Sequence, residues 1–237
     1  MFDVYMKVTP KHMESYRVTG SMTDVLPLPA AVTPEMYLGF ARSDLRRPYR
    51  RNRVNAVGNA KRGLHLHVDV VAEAFGIARL SKKNRRGFPD RLAFLTRCGL
   101  VTPAILTKLN RFRNVVEHDY AIPTMDAVLD FLDVVELFLA AGRKVRTDFP
   151  RQTHFGRSLG PSSKSRLPMC VAIGIEPSTG LVRVAECASA SPDRREPMKY
   201  MLATTPAAEA FWAAATSMTV DQGDKFFDWI SLVASRI

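Results

Sequence analysis

The stretch RNVVEHDY, residues 113–120, gathers three side chains whose types and spacing could do chemistry: Arg113, Asn114 and His118. On a helix each residue turns about 100°, so Asn114 and His118 share a face and Arg113 lies roughly 140° from His118. An arginine stem is long enough to bend across that gap. Histidine can remove a proton and return it near neutral pH. A guanidinium stabilises charge building on a phosphoryl oxygen, and an asparagine amide orients either partner. The trio therefore suits attack of an RNA 2′-hydroxyl on its own phosphate, which needs no metal. Glu117 and Asp119 flank the histidine but do not make a metal site by themselves. A plain structural alternative stands beside this reading, with Arg113 paired to Glu117 and His118 capping the helix end against its dipole. Tyr120 has two readings as well: a site-lining hydroxyl or modification target, or, the favoured one, an aromatic packed on the helix end.

Elements that would position these residues are written in the spacing of apolar residues. Helices are expected from about Pro34 to Leu45, Arg50 to Phe75, Phe88 to the Gly99 cap, Pro103 to Tyr120, and Thr124 to Gly142. Val54, Val57, Lys61, Leu64, Val68, Val71 and Phe75 form the stripe of the second, and Val128, Leu129, Leu132, Val135 and Leu139 that of the last. Pro123 pushes Ile122 out of helical geometry, so a break falls just after the RNVVEHDY segment. Helix starts are marked by Val-Thr-Pro at residues 8–10, 32–34 and 101–103 and Thr-Thr-Pro at 204–206, a capping threonine followed by a first-turn proline. Beside the apolar stripe of the second helix run Asn55, Asn59, Arg62 and Asp69, either a solvated face or the lining of a polar crevice facing the fourth helix.

The flanks read differently. Residues 1–32 form an N-terminal arm in which FDVYMKV alternates and suggests a strand; 33–148 form the helical bundle; 149–237 form a linker and a small α+β region. RTDFPRQTHFGRSLGPSSKSRLP has the composition of a linker. MCVAIGIEPSTGLVRVAE reads as a β-hairpin, and two closing helices are expected near Pro206–Ser217 and Asp224–Arg236. Trp212 and Trp229 sit at core-like spacing in them, and His65 and His67 read as surface or interface residues. The fold class expected is mainly α.

Charge points to the partner. The 237-residue chain carries a net +11, concentrated in ARSDLRRPYRRNRVNAVGNAKRG. Arg46, Arg47, Arg50, Arg51 and Arg53 make an arginine-rich band able to track a nucleic-acid backbone without reading its sequence. Cys98, Cys170 and Cys187 are odd in number and lack Cys-x-x-Cys spacing, which argues against a zinc site or disulfide framework and suits a reducing cytoplasm. No apolar segment reads as a secretory signal or membrane span, because Asp130, Asp133 and Glu136 interrupt the most apolar one.

NRFRNVVEHDY resembles the signature of the HEPN superfamily, R-[N/H/D]-x-x-x-H, which Arg113, Asn114 and His118 match residue by residue. Tyr120 matches its extended form, R-x-x-x-x-H-x-Y. The resemblance covers about residues 33–145 and leaves the C-terminal segment unassigned. It implies a HEPN-like helical bundle, and a metal-independent endoribonuclease acting as a homodimer whose two motif helices meet in one composite cleft. It also implies toxin–antitoxin or phage-defence work, with an antitoxin or other regulatory partner. In that scheme Arg113, Asn114 and His118 are catalytic, Asn55, Asn59 and Arg62 line the site, and no cofactor or metal is required. The rival reading is a HEPN-like dimerisation or RNA-binding module without catalysis. A DNA-binding regulator ranks lower, since no helix-turn-helix signature is present.

Overall fold

A computed structural model describes residues 8–29, 31–47, 49–80, 87–100, 122–157, 168, 170–177, 179–187, 215–218 and 223–235. Five α-helices fall among them: α1 Pro34–Asp44, α2 Arg50–Ala74, α3 Phe88–Arg97, α4 Met125–Thr147 and α5 Asp224–Ala234. Five strands complete the set: β1 Arg17–Asp24, β2 Phe149–Gly156, β3 Cys170–Glu176, β4 Leu181–Cys187 and β5 Thr216–Met218. The strands form one antiparallel sheet in the order β1-β2-β3-β4-β5. This corrects the mainly α expectation of a HEPN-like bundle with a small α+β appendage. The protein is mixed α/β, with helices and one antiparallel sheet sharing a single core cluster.

The helices start where their caps dictate. Thr33 Oγ1 accepts from the Met36 amide with Pro34 in the first turn, and Thr124 Oγ1 accepts from the Ala127 amide. Thr9 and Pro10 open only a 3-10 turn, Pro10–Ser15. The Thr-Pro pairs at 102–103 and 205–206 lie outside the described residues. Gly99 has a positive φ of 78° after α3, as its capping role requires. Helix α4 outruns the expected Gly142 end by more than a turn, and that extra turn carries Val145 and Arg146 inward.

Helices α1 and α4 run antiparallel, since Arg146 pairs with Glu35 and Arg42 reaches Asp133 (3.6 Å) and Glu136. Helix α2 packs between them and α3, burying Val57, Leu64, Val68 and Val71. Two expected stripe residues face outward instead: Val54 is 44% and Leu129 is 41% exposed. Helix α5 docks on the end of α3, where Ser231 Oγ donates to the Arg97 carbonyl and the Arg97 guanidinium stacks on Phe227 at 3.8 Å. Its Trp229 is buried, as expected of a core residue, while Trp212 lies outside the described residues.

Two strand assignments correct the sequence reading and one refines it. The strand of the N-terminal arm is Arg17–Asp24, while FDVYMKV falls on residues 2–8, of which 2–7 lie outside the described residues. The expected linker begins with β2, whose Phe149 and Phe155 are buried. Thr216 and Ser217, placed at the end of a helix, instead join Met218 in β5. The hairpin is where it was expected, β3 to β4 around the turn at Pro177–Gly180.

Helices and sheet meet most closely at two glycines. Gly76 ends α2 at φ 88°, and Gly180 closes the hairpin turn at φ 60°. A Cβ on Gly180 would sit 2.2 Å from the Gly76 Cα, and one on Gly76 2.8 Å from the Gly180 Cα. Arg79 Nε seals the contact by donating to the Thr179 carbonyl at 2.6 Å. Positive φ and backbone contact both demand glycine here. We expect Gly180→Ala to lower unfolding free energy by roughly 2–4 kcal/mol. Gly20→Ala, whose Cβ would meet nothing within 4 Å, should cost under about 1 kcal/mol. Urea unfolding of both variants distinguishes a required glycine contact from a general loss of flexibility.

Candidate nucleic-acid interface

The arginine band lies across the loop from α1 to α2 and the first turns of α2. Arg46, Arg47, Arg50 and Arg51 are exposed. Asn52 holds the loop in shape, its Nδ2 donating to the carbonyls of Asp44 (2.9 Å) and Arg47 (3.3 Å). Farther along the same side of α2, Arg62 and Asn55 are exposed, and Gly58 leaves the surface flat between them. From Arg50 to Arg62 is about 18 Å along the helix axis. The result is a basic, low-relief face on which Arg46, Arg47, Arg50 and Arg51 could grip phosphates.

Not every expected site residue is free for that task. Arg53 is half-buried and its guanidinium donates to the Pro123 carbonyl at 2.8 Å. It therefore works as a strut between the start of α2 and the turn before α4. Asn59 Nδ2 donates to Asp44 Oδ2 (2.9 Å), and Arg62 donates to Asn59 Oδ1 (3.0 Å). Asp69 pairs with Arg91 of α3 at 3.2 Å. Among the described residues the polar stripe divides: Asn59 and Arg62 bind toward α1, Asp69 toward α3, and Asn55 is exposed, while the fourth helix it was expected to face lies outside them. Arg113, Asn114, His118 and Tyr120 lie outside the described residues. Covalent geometry alone keeps His118, five residues before Pro123, within about 18 Å of it. Arg53 ties that same Pro123 to the arginine band.

Sequence reasoning missed a polar cluster inside the helices. His67, expected at the surface, is 3% exposed. Its ring packs edge-on to Phe138 (5.6 Å) and against α4 at Gly142, where a Cβ would come within 2.3 Å of Nε2. Arg146, 7% exposed, pairs with Glu35 nearby. Burial, then the Arg146 charge, pushes the His67 pKa down to about 4 against a partial opposing pull from Glu35, so His67 is neutral at pH 7. His154 on β2 is also depressed, by burial. The other titratable groups of note are structural. Burial raises the Asp69 pKa against the pull of Arg91, and burial raises the Cys98 thiol.

The cysteine reading needs one correction. Cys170 is disulfide-bonded, and the residue opposite it across the β3–β4 ladder is Cys187. The argument from cysteines to a reducing compartment therefore lapses, while Cys98 is free and buried. Among the described residues no three His, Cys, Asp or Glu side chains cluster as metal ligands, and no helix is long and apolar enough to cross a membrane. An apolar recess of roughly 340 Å³ lies between Leu26, Pro27, Val70, Ala74 and Pro177. Among its described lining residues the carboxylates are Asp69 and Glu73, both engaged by Arg91.

No family model, curated protein or solved structure matches this chain. The candidate interface therefore stands on its own residues: an exposed arginine band held by Asn52 and joined through Arg53 to the chain just after the RNVVEHDY segment.

The buried histidine gives a pH prediction. His67 carries a folded-state pKa near 4 against 6.5 when exposed, so between those values the unfolded chain binds more protons. Stability should be flat above about pH 6.5 and fall as pH drops toward 4, by up to about 3 kcal/mol from His67. His154 adds to the same slope. Chemical denaturation at pH 7 and pH 4.5 should show a smaller loss for His67→Gln than for wild type. Parallel losses would place the pH dependence in other groups.

Proposed function

We propose that the chain is a metal-independent endoribonuclease of the HEPN type, a homodimer acting on RNA in the cytoplasm in a toxin or phage-defence role. The observation that carries the reading is the R-N-x-x-x-H spacing of Arg113, Asn114 and His118 in a chain of net charge +11. Supporting it, the exposed Arg46, Arg47, Arg50 and Arg51 are joined through Arg53 to Pro123, five residues beyond His118. In this reading the arginine band holds the RNA backbone. His118 takes the proton from the 2′-hydroxyl, which attacks the adjacent phosphorus and expels the 5′-oxygen, and that oxygen takes up a proton from water. Arg113 stabilises the charge on the phosphoryl oxygens, and Asn114 orients the reacting groups. The products are a 2′,3′-cyclic phosphate and a free 5′-hydroxyl.

A second reading, RNA binding without cleavage, is favoured by the one part of the site described in atomic detail, because exposed arginines on a rigid helix bind phosphate whether or not chemistry follows. One pair of assays separates them. Wild type should cleave single-stranded RNA in EDTA, with cyclic phosphate ends, while His118→Ala and Arg113→Ala lose at least about 100-fold in rate and stay folded. Asn114→Ala should retain partial activity. Arg50→Glu with Arg51→Glu should weaken RNA affinity and flatten its salt dependence, by a log–log slope of about 1–2. Undiminished cleavage by His118→Ala sinks the catalytic assignment. Salt-independent affinity, unchanged in the double variant, sinks the band.

A further inference from the structure

We propose that Tyr49 is a base-stacking platform within the arginine band, which makes the band a site for single-stranded RNA and not for duplex. This rests on the reading that the band takes RNA, and adds the feature that would choose the form of RNA. A single exposed apolar side chain is ordinary on a protein surface. What marks Tyr49 is its setting. It is 56% exposed, and Arg46, Arg47, Arg50 and Arg51, on either side of it in sequence, are exposed as well. The chain carries no Asp or Glu between Asp44 and Asp69, and Asp44 is held by Asn59. Tyr49 occupies the N-cap position of α2, yet its side chain makes no capping bond. Among the described residues the one charged or aromatic group over its ring is the Arg51 guanidinium, 5.8 Å from the centroid.

The backbone beneath the ring is held. The Tyr49 carbonyl accepts from the Asn52 amide at 3.0 Å as α2 begins, and the Asn52 side chain donates to the carbonyls of Asp44 and Arg47. A tyrosine so placed has only its side-chain torsions left to order, so it offers flat area at low entropic cost. Every base has a π face, and stacking one base on an aromatic ring raises affinity about tenfold to a hundredfold. The Arg51 guanidinium can stack on the ring and bond a phosphate with its edge. The occupant follows from these properties together. A duplex offers its phosphates to the arginines but keeps its bases stacked on one another, so the ring would stay in water. An unpaired strand presents phosphates and a base face at once, and the band can take both.

Binding by the full-length protein tests this. The probes are a short fluorescent RNA strand and the same strand annealed to its complement, both 2′-O-methylated so that neither can be cleaved. Wild type should bind the single strand more tightly. Tyr49→Ala and Tyr49→Leu should lose about tenfold in single-strand affinity and keep their duplex affinity. Their salt dependence should match wild type, because no charge is removed. Tyr49→Phe should bind like wild type. Single-strand affinity undiminished in Tyr49→Ala and Tyr49→Leu overturns the proposal, and so do equal losses on strand and duplex. Tyr49→Phe as weak as Tyr49→Leu overturns it too, since the contact would then be a hydroxyl bond. Leucine and phenylalanine both fill the space, so that pair decides even if Tyr49→Ala fails to fold. Failure of the underlying RNA reading looks different: affinity for both probes is then independent of salt and unchanged by Arg50→Glu with Arg51→Glu.

Discussion

Arg146 carries a buried positive charge at the place where helices and sheet must agree. Its guanidinium pairs with Glu35 of α1, its field reaches His67 of α2, and its carbonyl accepts from the Leu26 amide just beyond β1. Helix α4 ends at the next residue, Thr147, and β2 begins at Phe149. One residue thus contacts α1, α2 and the chain after β1 at the point where α4 hands over to the sheet. Taking such a charge from water costs several kcal/mol, and an ion pair offsets that cost only if the geometry holds. Removing Glu35 would leave the buried guanidinium without its ion-pair partner. His67 fits beside it because it is neutral, and because Gly142 leaves space for its ring.

The second junction works by contact and not by charge. Gly76 and Gly180 let the end of α2 touch the β3–β4 turn backbone to backbone, and Arg79 bonds that turn. Helix α2 is therefore held near both ends: by Arg53 to Pro123 at its start, and by the hairpin just past its last turn. Anchoring near both ends holds the backbone from which the arginines project, so in the proposed reading gripping a phosphate backbone orders side chains and not the helix that carries them.

What could be read from the sequence follows from where the information sits. The ends of α1, α2 and α3 were legible because threonine, proline and glycine act within a turn of themselves. The β3–β4 hairpin was legible because CVAIGIE and LVRVAEC are both rich in β-branched residues about a turn signal. Strands β1 and β2 were not. RVTGSMTD lies on an exposed edge and has little apolar residue to alternate, while FPRQTHFG opens on Phe-Pro and mixes arginine and glutamine with its buried phenylalanines. Their pairing joins residues more than a hundred positions apart, Arg17 with Gly156, and no local pattern encodes that. The burial of His67 was hidden for the same reason. Its polar ring looks solvent-facing until Gly142 and Arg146 arrive from α4.

The candidate interface divides along the same line. That residues 46–62 form an exposed basic band was readable from composition, because charge density alone sends arginines to the surface. Which of them are spent on structure was not, since Arg53 and Arg62 differ from Arg50 and Arg51 only in what lies within reach. Arg53 meets a carbonyl freed at Pro123, whose neighbour cannot continue a helix, and Arg62 meets an asparagine already turned toward Asp44. The arginines left over are those on the outer side of α2 and its leading loop. In the proposed reading phosphate binding falls to side chains the fold does not use, which can change without cost to the core, whereas Arg53 holds the Pro123 carbonyl at the turn into α4.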